Sequence, residues 1–124
     1  MSKGEIAVSI HAQGFNCAQC VLKANEEKCS IDDSTATKIT EGFGGGVRCG
    51  EICGAISGGV MALGLCGAKA ADVKKFTSAF KDKYGCVRCL DLKTKGIACD
   101  DLIEFSADLT DKTIKELENT NGNL

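Results

Sequence analysis

"ICGAISGGVMALGLC", residues 52–66, holds fifteen consecutive residues without a formal charge, four of them glycine, between two cysteines. The run falls short of the roughly 20 apolar residues that a membrane-crossing helix needs. It therefore reads as a buried helix, predicted from about Glu51 to Leu65 and stopped by Gly67. Gly50, Gly54 and Gly58 recur every fourth residue and share one face of such a helix. Glycine contributes no packing and loses the most backbone freedom on folding, so something must reward its use here. At Gly58 the reward is close contact with another helix. Near Gly50 and Gly54, bare backbone N–H groups can in addition approach a bulky anion.

Working outward, the periodicity is helical nearly throughout, with no alternation long enough for a strand. "IAVSIHA" forms a short lead-in helix. In "NCAQCVLKANEEKC", Asn16 is the N-cap and Gln19 its capping-box partner, which makes Cys17 the first helical residue and Cys20 the fourth. "DDSTATKITEGF" is a third helix, capped by Asp33 or Ser34 and ended by Gly42. "ADVKKFTSAFKDKYG" places Val73, Phe76, Phe80 and Tyr84 on one face and Gly85 just past its end. "CVRCLDLKTKGIAC" reads as irregular. A last helical region starts at Asp100, with a break near Thr110 and a frayed tail over residues 117–124. The expectation is an all-α fold: one compact domain over residues 1–124, a bundle of five to seven helices with a Gly-rich loop.

The chain has 124 residues, a formal charge of −2 and no proline or tryptophan. A slightly acidic chain with no basic stripe argues against nucleic-acid binding. Nine cysteines stand out. Their odd number forbids complete internal pairing, and the first residues lack the pattern of a secretory leader. A cytoplasmic, reducing setting fits, where cysteine-rich patterns mean metal or redox chemistry.

Placed on the helix map, four thiols fall at positions suited to the ionised form. Cys17 opens the second helix, Cys53 lies near the start of the fourth, and Cys99 directly precedes the last. Cys89 sits in a loop beside Arg88. Helix starts carry unpaired N–H groups and partial positive charge, which favour thiolate. Cys29 and Cys66, near helix ends, do not fit this rule and read as small buried hydrophobes. Cys17/Cys20 and Cys86/Cys89 are CxxC pairs and Cys49/Cys53 is CxxxC. The two CxxC pairs lie too far apart for a zinc ribbon, so a joint site needs the fold to assemble it. Helical neighbours three apart have Cβ atoms about 5–6 Å apart and a disulfide wants about 3.5–4.5 Å. A metal or cluster therefore suits Cys17 and Cys20 better than a disulfide does.

Other chemistries fall away. No CxxCH motif offers covalent haem attachment, and "GFGGGVRCGE" lacks the ending of a phosphate loop. His11, the single histidine, reads as structural, which leaves no Cys–His catalytic pair. The acid pairs Asp32/Asp33 and Asp100/Asp101 sit at helix starts and serve as caps.

Cys17 in "FNCAQ", the "CGAISG" box from Cys53 to Gly58, Cys89 in "CLDL" and Cys99 in "ACDDLI" together resemble the redox-active family named for its C_GCAxxG_C_C cysteine pattern. The likeness covers about residues 14–105. A similar cysteine-bearing module accompanies an iron–sulfur site in split-Soret cytochromes. The resemblance implies that Cys17, Cys53, Cys89 and Cys99 are ligands or redox thiols. Cys20, Cys29, Cys49, Cys66 and Cys86 are additions to the pattern, and Cys20, Cys49 and Cys86 lie near enough along the chain to supply further ligands.

The leading functional expectation is an iron–sulfur protein that carries electrons, with one or two clusters of unspecified nuclearity. Small residues around Cys49 and Cys53 would make room for the inorganic core and aim N–H groups at sulfur. The alternative is a thiol–disulfide oxidoreductase working through Cys86 and Cys89, with Arg88 lowering a thiol pKa. A structural zinc site ranks third. Oxidoreductase and non-enzymatic carrier both stay open. The implied partner is a redox protein; neither nucleic acid nor membrane insertion is expected, and a homodimer is allowed.

Overall fold

A computed structural model of the chain describes residues 1–122. Its α-helices are α1 (Lys3–His11), α2 (Cys17–Ala24), α3 (Glu26–Cys29), α4 (Asp33–Thr40), α5 (Gly54–Leu65), α6 (Ala70–Tyr84), α7 (Cys89–Thr94) and α8 (Cys99–Gly122). The all-α expectation holds. Among the described residues there are eight α-helices, more than the five to seven expected, because the 17–29 segment divides at Asn25 and because residues 89–94, expected to be irregular, coil into α7. Among the described residues the one β feature is an isolated antiparallel bridge, Ile52 to Arg88. No described helix is long and apolar enough to cross a membrane.

The 52–66 segment is indeed the centre of the molecule, with α2, α8, α6 and α3 packed around α5. Gly58 explains how α2 comes so close. A Cβ built there would lie 2.4 Å from the Ala18 carbonyl oxygen, nearer than real atoms approach. A Cβ on Gly59 would meet the Phe76 ring at 2.5 Å and the Thr110 hydroxyl at 2.7 Å, on the side facing α6 and α8. The glycines thus let three helices pack directly on the α5 backbone. Around them lie Val21, Leu22, Ile56, Leu63, Phe76, Phe80, Leu92, Ile103 and Ile114, all buried.

The start of α2 is as the sequence predicts. The Asn16 side chain accepts from the Gln19 N–H at 2.9 Å, and Gln19 Oε1 accepts from the Asn16 N–H at 2.9 Å. Gln19 is buried, so its amide nitrogen also needs partners. It donates to the Thr37 carbonyl at 3.0 Å and to Glu41 at 2.8 Å, which fastens α4 to α2.

Four boundaries differ from expectation. Asp32, not Asp33 or Ser34, caps α4, accepting from the Thr35 N–H at 2.7 Å; the helix ends at Thr40, and a single tight turn covers Glu41–Phe43. α5 begins at Gly54, because residues 45–48 all take left-handed φ, between 56° and 66°, and cannot propagate a helix. Gly50, also left-handed at φ 76°, therefore lies outside α5 and off the glycine face. α8 runs unbroken past Thr110, whose buried hydroxyl is satisfied inside the helix by the Ser106 carbonyl at 2.7 Å. It continues to Gly122; of the tail 117–124 expected to fray, Asn123 and Leu124 lie outside the described residues.

Two alanine substitutions in α5 should move stability in opposite directions. Gly58→Ala gains helix propensity of about 1 kcal/mol but forces α2 and α5 apart, for a net loss of about 1–3 kcal/mol. At Gly64 an added Cβ meets nothing within 4 Å, so Gly64→Ala should gain up to about 1 kcal/mol. Urea midpoints of the two variants against wild type check both signs.

Candidate functional site

Four cysteines occupy four helix starts. Cys17 is the first residue of α2, Cys53 the N-cap of α5, Cys89 the first residue of α7 and Cys99 the first of α8. Cys89, expected in a loop, thus opens a helix instead.

Three local devices bring them together. Gly54 is the first: its missing side chain leaves space that a Cβ would share with Cys17 Cβ at 3.1 Å and the Ala18 nitrogen at 3.2 Å. The residue after Cys53 is therefore pressed against Cys17. The second is the short extended pairing around Ile52 and Arg88. The Cys53 N–H donates to the Val87 carbonyl at 2.9 Å and the Cys89 N–H to the Glu51 carbonyl at 2.6 Å. In that pairing Cys53 and Cys89 are diagonal neighbours on one face, a spacing of roughly 7–8 Å, while Ile52 and Arg88 share the other face. Arg88 then clamps the pairing by a forked contact to the Glu51 carboxylate, at 3.0 and 3.1 Å. The third device holds the start of α8: His11 Nδ1 lies 2.7 Å from Asp100 Oδ1, next to Cys99, and the Tyr84 hydroxyl donates to the Asp101 carbonyl at 3.3 Å. The Cys17 thiol lies near those of Cys99 and Cys53, and Cys53 near those of Cys89 and Cys99.

Burial reverses the expected charge balance. It pushes the Cys17 thiol from an ordinary 9.0 up to about 12, and nearby Cys99, Cys53 and Cys20 push the same way. Burial likewise raises Cys53 to about 11, although the nearby backbone N–H groups of Ala55 and Ile56 oppose the shift. Those two N–H groups are the helix-start effect that the sequence predicts. It is present, and desolvation outweighs it. Without a cation, Cys17 and Cys53 are held as neutral thiols.

The other thiols separate from this group. Cys20 is buried, donates to the Phe15 carbonyl at 3.6 Å and is likewise raised to about 12 by burial. Cys49 is exposed and donates to the Gly46 carbonyl at 3.5 Å. Cys86, half-buried, reaches the Tyr84 carbonyl at 3.9 Å. Arg88, expected to assist Cys86 or Cys89, is engaged by Glu51 and Asp91. It faces away from Cys89 because sequence neighbours in an extended segment point to opposite sides. Cys29 and Cys66 meet each other at 3.6 Å. Among the described residues, no group of three or more Cys, His, Asp or Glu side chains is arranged to hold a single metal ion. The Glu51–Arg88 clamp and the His11–Asp100 contact escaped sequence reading, since each joins residues far apart in the chain and neither leaves a local motif.

Raised thiol pKa values make stability pH-dependent. The unfolded chain ionises these cysteines near their ordinary 9.0, whereas the folded chain resists up to about 12 at Cys17. The contribution is thus complete below pH 9 and is lost as pH rises toward 12. The metal-free protein should lose urea resistance across that window, and Cys17→Ser should flatten the decline. Equal slopes for variant and wild type would contradict the burial argument.

Residues 15–113 match the family described as "Putative redox-active protein (C_GCAxxG_C_C)". No curated protein and no solved structure matches the chain at a significant level. The match spans most of the chain and includes all four helix-start cysteines, and the protein belongs to that redox-active, cysteine-rich family.

Proposed function

We propose that the chain binds an iron–sulfur cluster through Cys17, Cys53, Cys89 and Cys99 and exchanges electrons with a partner protein. The observation that carries the reading is the gathering of four helix-start thiols in which Cys17 and Cys53 are held neutral by burial and by one another. Such a group gains most from a multiply charged metal core, which would deprotonate the thiols and cancel their mutual repulsion. When bound, the cluster would supply a one-electron couple. The Ala55 and Ile56 N–H groups near Cys53 would then lower the energy of the reduced, more negative state.

The surroundings fit a bulky guest. Gly54 leaves the Cys17–Cys53 junction without a side chain, and the 51–53 and 87–89 segments present their sulfurs on one face. Cys89 and Cys99 are half-buried while Cys53 lies in the core, so one edge of such a cluster approaches the surface. Leu90, 56 % exposed beside Cys89, would give a partner an apolar contact at that edge.

Anaerobic reconstitution with iron and sulfide tests the reading. The expected product is a brown protein with charge-transfer absorption in the visible and iron and sulfide in near-equal amounts. Replacing Cys17, Cys53, Cys89 or Cys99 singly by Ser should remove most of both, whereas Cys49→Ser should retain them. A colourless chain after reconstitution, or one that takes up only zinc, would overturn it.

A further inference from the structure

Away from the four helix-start thiols, Cys29 ends α3 and Cys66 caps the C-terminus of α5, with 3.6 Å between their sulfurs. Neither cysteine belongs to the C_GCAxxG_C_C pattern as it lies on this chain, and sequence reasoning treated both as packing residues. The geometry assigns them a function of their own: Cys29 and Cys66 form a reversible dithiol–disulfide site that gives electrons to low-molecular-weight disulfides and takes them back from the corresponding thiols.

Several features of the structure meet at this pair. The sulfurs stand in van der Waals contact at 3.6 Å, and a bond length of about 2.0 Å requires an approach of only ~1.5 Å. Each cysteine ends a helix and is followed by a left-handed residue, Ser30 at φ 54° and Gly67 at φ 88°, so the chain turns away directly behind both sulfurs. Cys66 is part-exposed and Cys29 is buried, which separates an entry thiol from a resolving thiol. In the reduced state both have acceptors: Cys66 donates to the Lys28 carbonyl at 3.4 Å and Cys29 to the Ala62 carbonyl at 3.5 Å. Burial, reinforced by Cys66, holds the Cys29 thiol up at about 12, so Cys29 stays protonated until its neighbour has reacted. The dithiol is thus a satisfied resting state.

The Cys66 thiolate attacks one sulfur of a disulfide RSSR, forming a Cys66–SR mixed disulfide and releasing RS⁻. Cys29 gives up its proton and attacks the Cys66 sulfur, forming the Cys29–Cys66 bond and expelling the second RS⁻. Two protein thiols are oxidised, RSSR is reduced, and the two protons leave with two RSH. The new bond ties α3 to α5 across a sequence separation of 37.

The test equilibrates the full chain anaerobically in glutathione buffers of increasing oxidised fraction, then quenches with acid and alkylates the free thiols. Peptide fragmentation then locates each bond. The expected result is a Cys29–Cys66 cross-link, two hydrogens lighter, that forms and disappears reversibly with the buffer ratio. Oxidation should raise the melting temperature by on the order of 10 °C, and Cys66→Ser should abolish that rise. Alkylated Cys29 and Cys66 at every ratio, or bonds from either to other cysteines in the folded chain, would overturn the assignment. The site is independent of the proposed cluster: Cys29→Ser and Cys66→Ser should leave iron loading at the wild-type level, and a chain that binds no iron at all should still form the cross-link.

Discussion

The close approach of α2 to the backbone of α5 is the constraint from which the rest of the structure follows. Gly58 sets the distance, since the Ala18 carbonyl occupies the space where a side chain would begin. Gly54, one turn earlier, carries the same contact to the mouth of the helix pair, where Cys17 and Cys53 stand. A segment rich in glycine costs backbone entropy, and here the return is twofold. The core closes around a bare helix, and two thiols remote in sequence become neighbours.

The other two thiols arrive by different routes to the same place. A two-rung extended pairing, clamped by Glu51 and Arg88, carries Cys89 to Cys53. The first turn of α8, held by His11 and Tyr84, carries Cys99 to Cys17. Because these supports are independent, the arrangement resembles a built site more than a chance gathering of buried cysteines. Its electrostatics point the same way. A core made only for stability has no reason to place raised-pKa thiols against each other, where each disfavours the other's charged form.

Much of the fold was legible in the chain. The 52–66 run announced a buried central helix, Asn16 and Gln19 fixed the start of α2, and Gly85 marked the end of α6. What sequence could not supply was the behaviour of residues 45–53, where four consecutive left-handed residues delay α5 and take Gly50 off its face. Local propensity also hid α7, a short helix stabilised by burying Leu92 rather than by any cap. The placing of Cys17, Cys53 and Cys99 at or beside helix starts was readable and that of Cys89 was not, and the ionisation of these thiols was not readable at all. The helix-end effect is local and visible in sequence, while desolvation depends on what packs above the sulfur. For the same reason the contact between Cys29 and Cys66 was invisible: it is made across helix ends that only the tertiary fold brings together.

X-ray absorption at the iron edge of the anaerobically reconstituted chain addresses the central claim most directly, because it reads the atoms around the metal without assuming a colour or an activity. If the α2–α5 contact exists to assemble four cysteine sulfurs around one polynuclear core, the first shell should contain sulfur alone and a second shell should show neighbouring iron. Iron surrounded mainly by oxygen or nitrogen, or iron with no iron neighbour, would contradict the account.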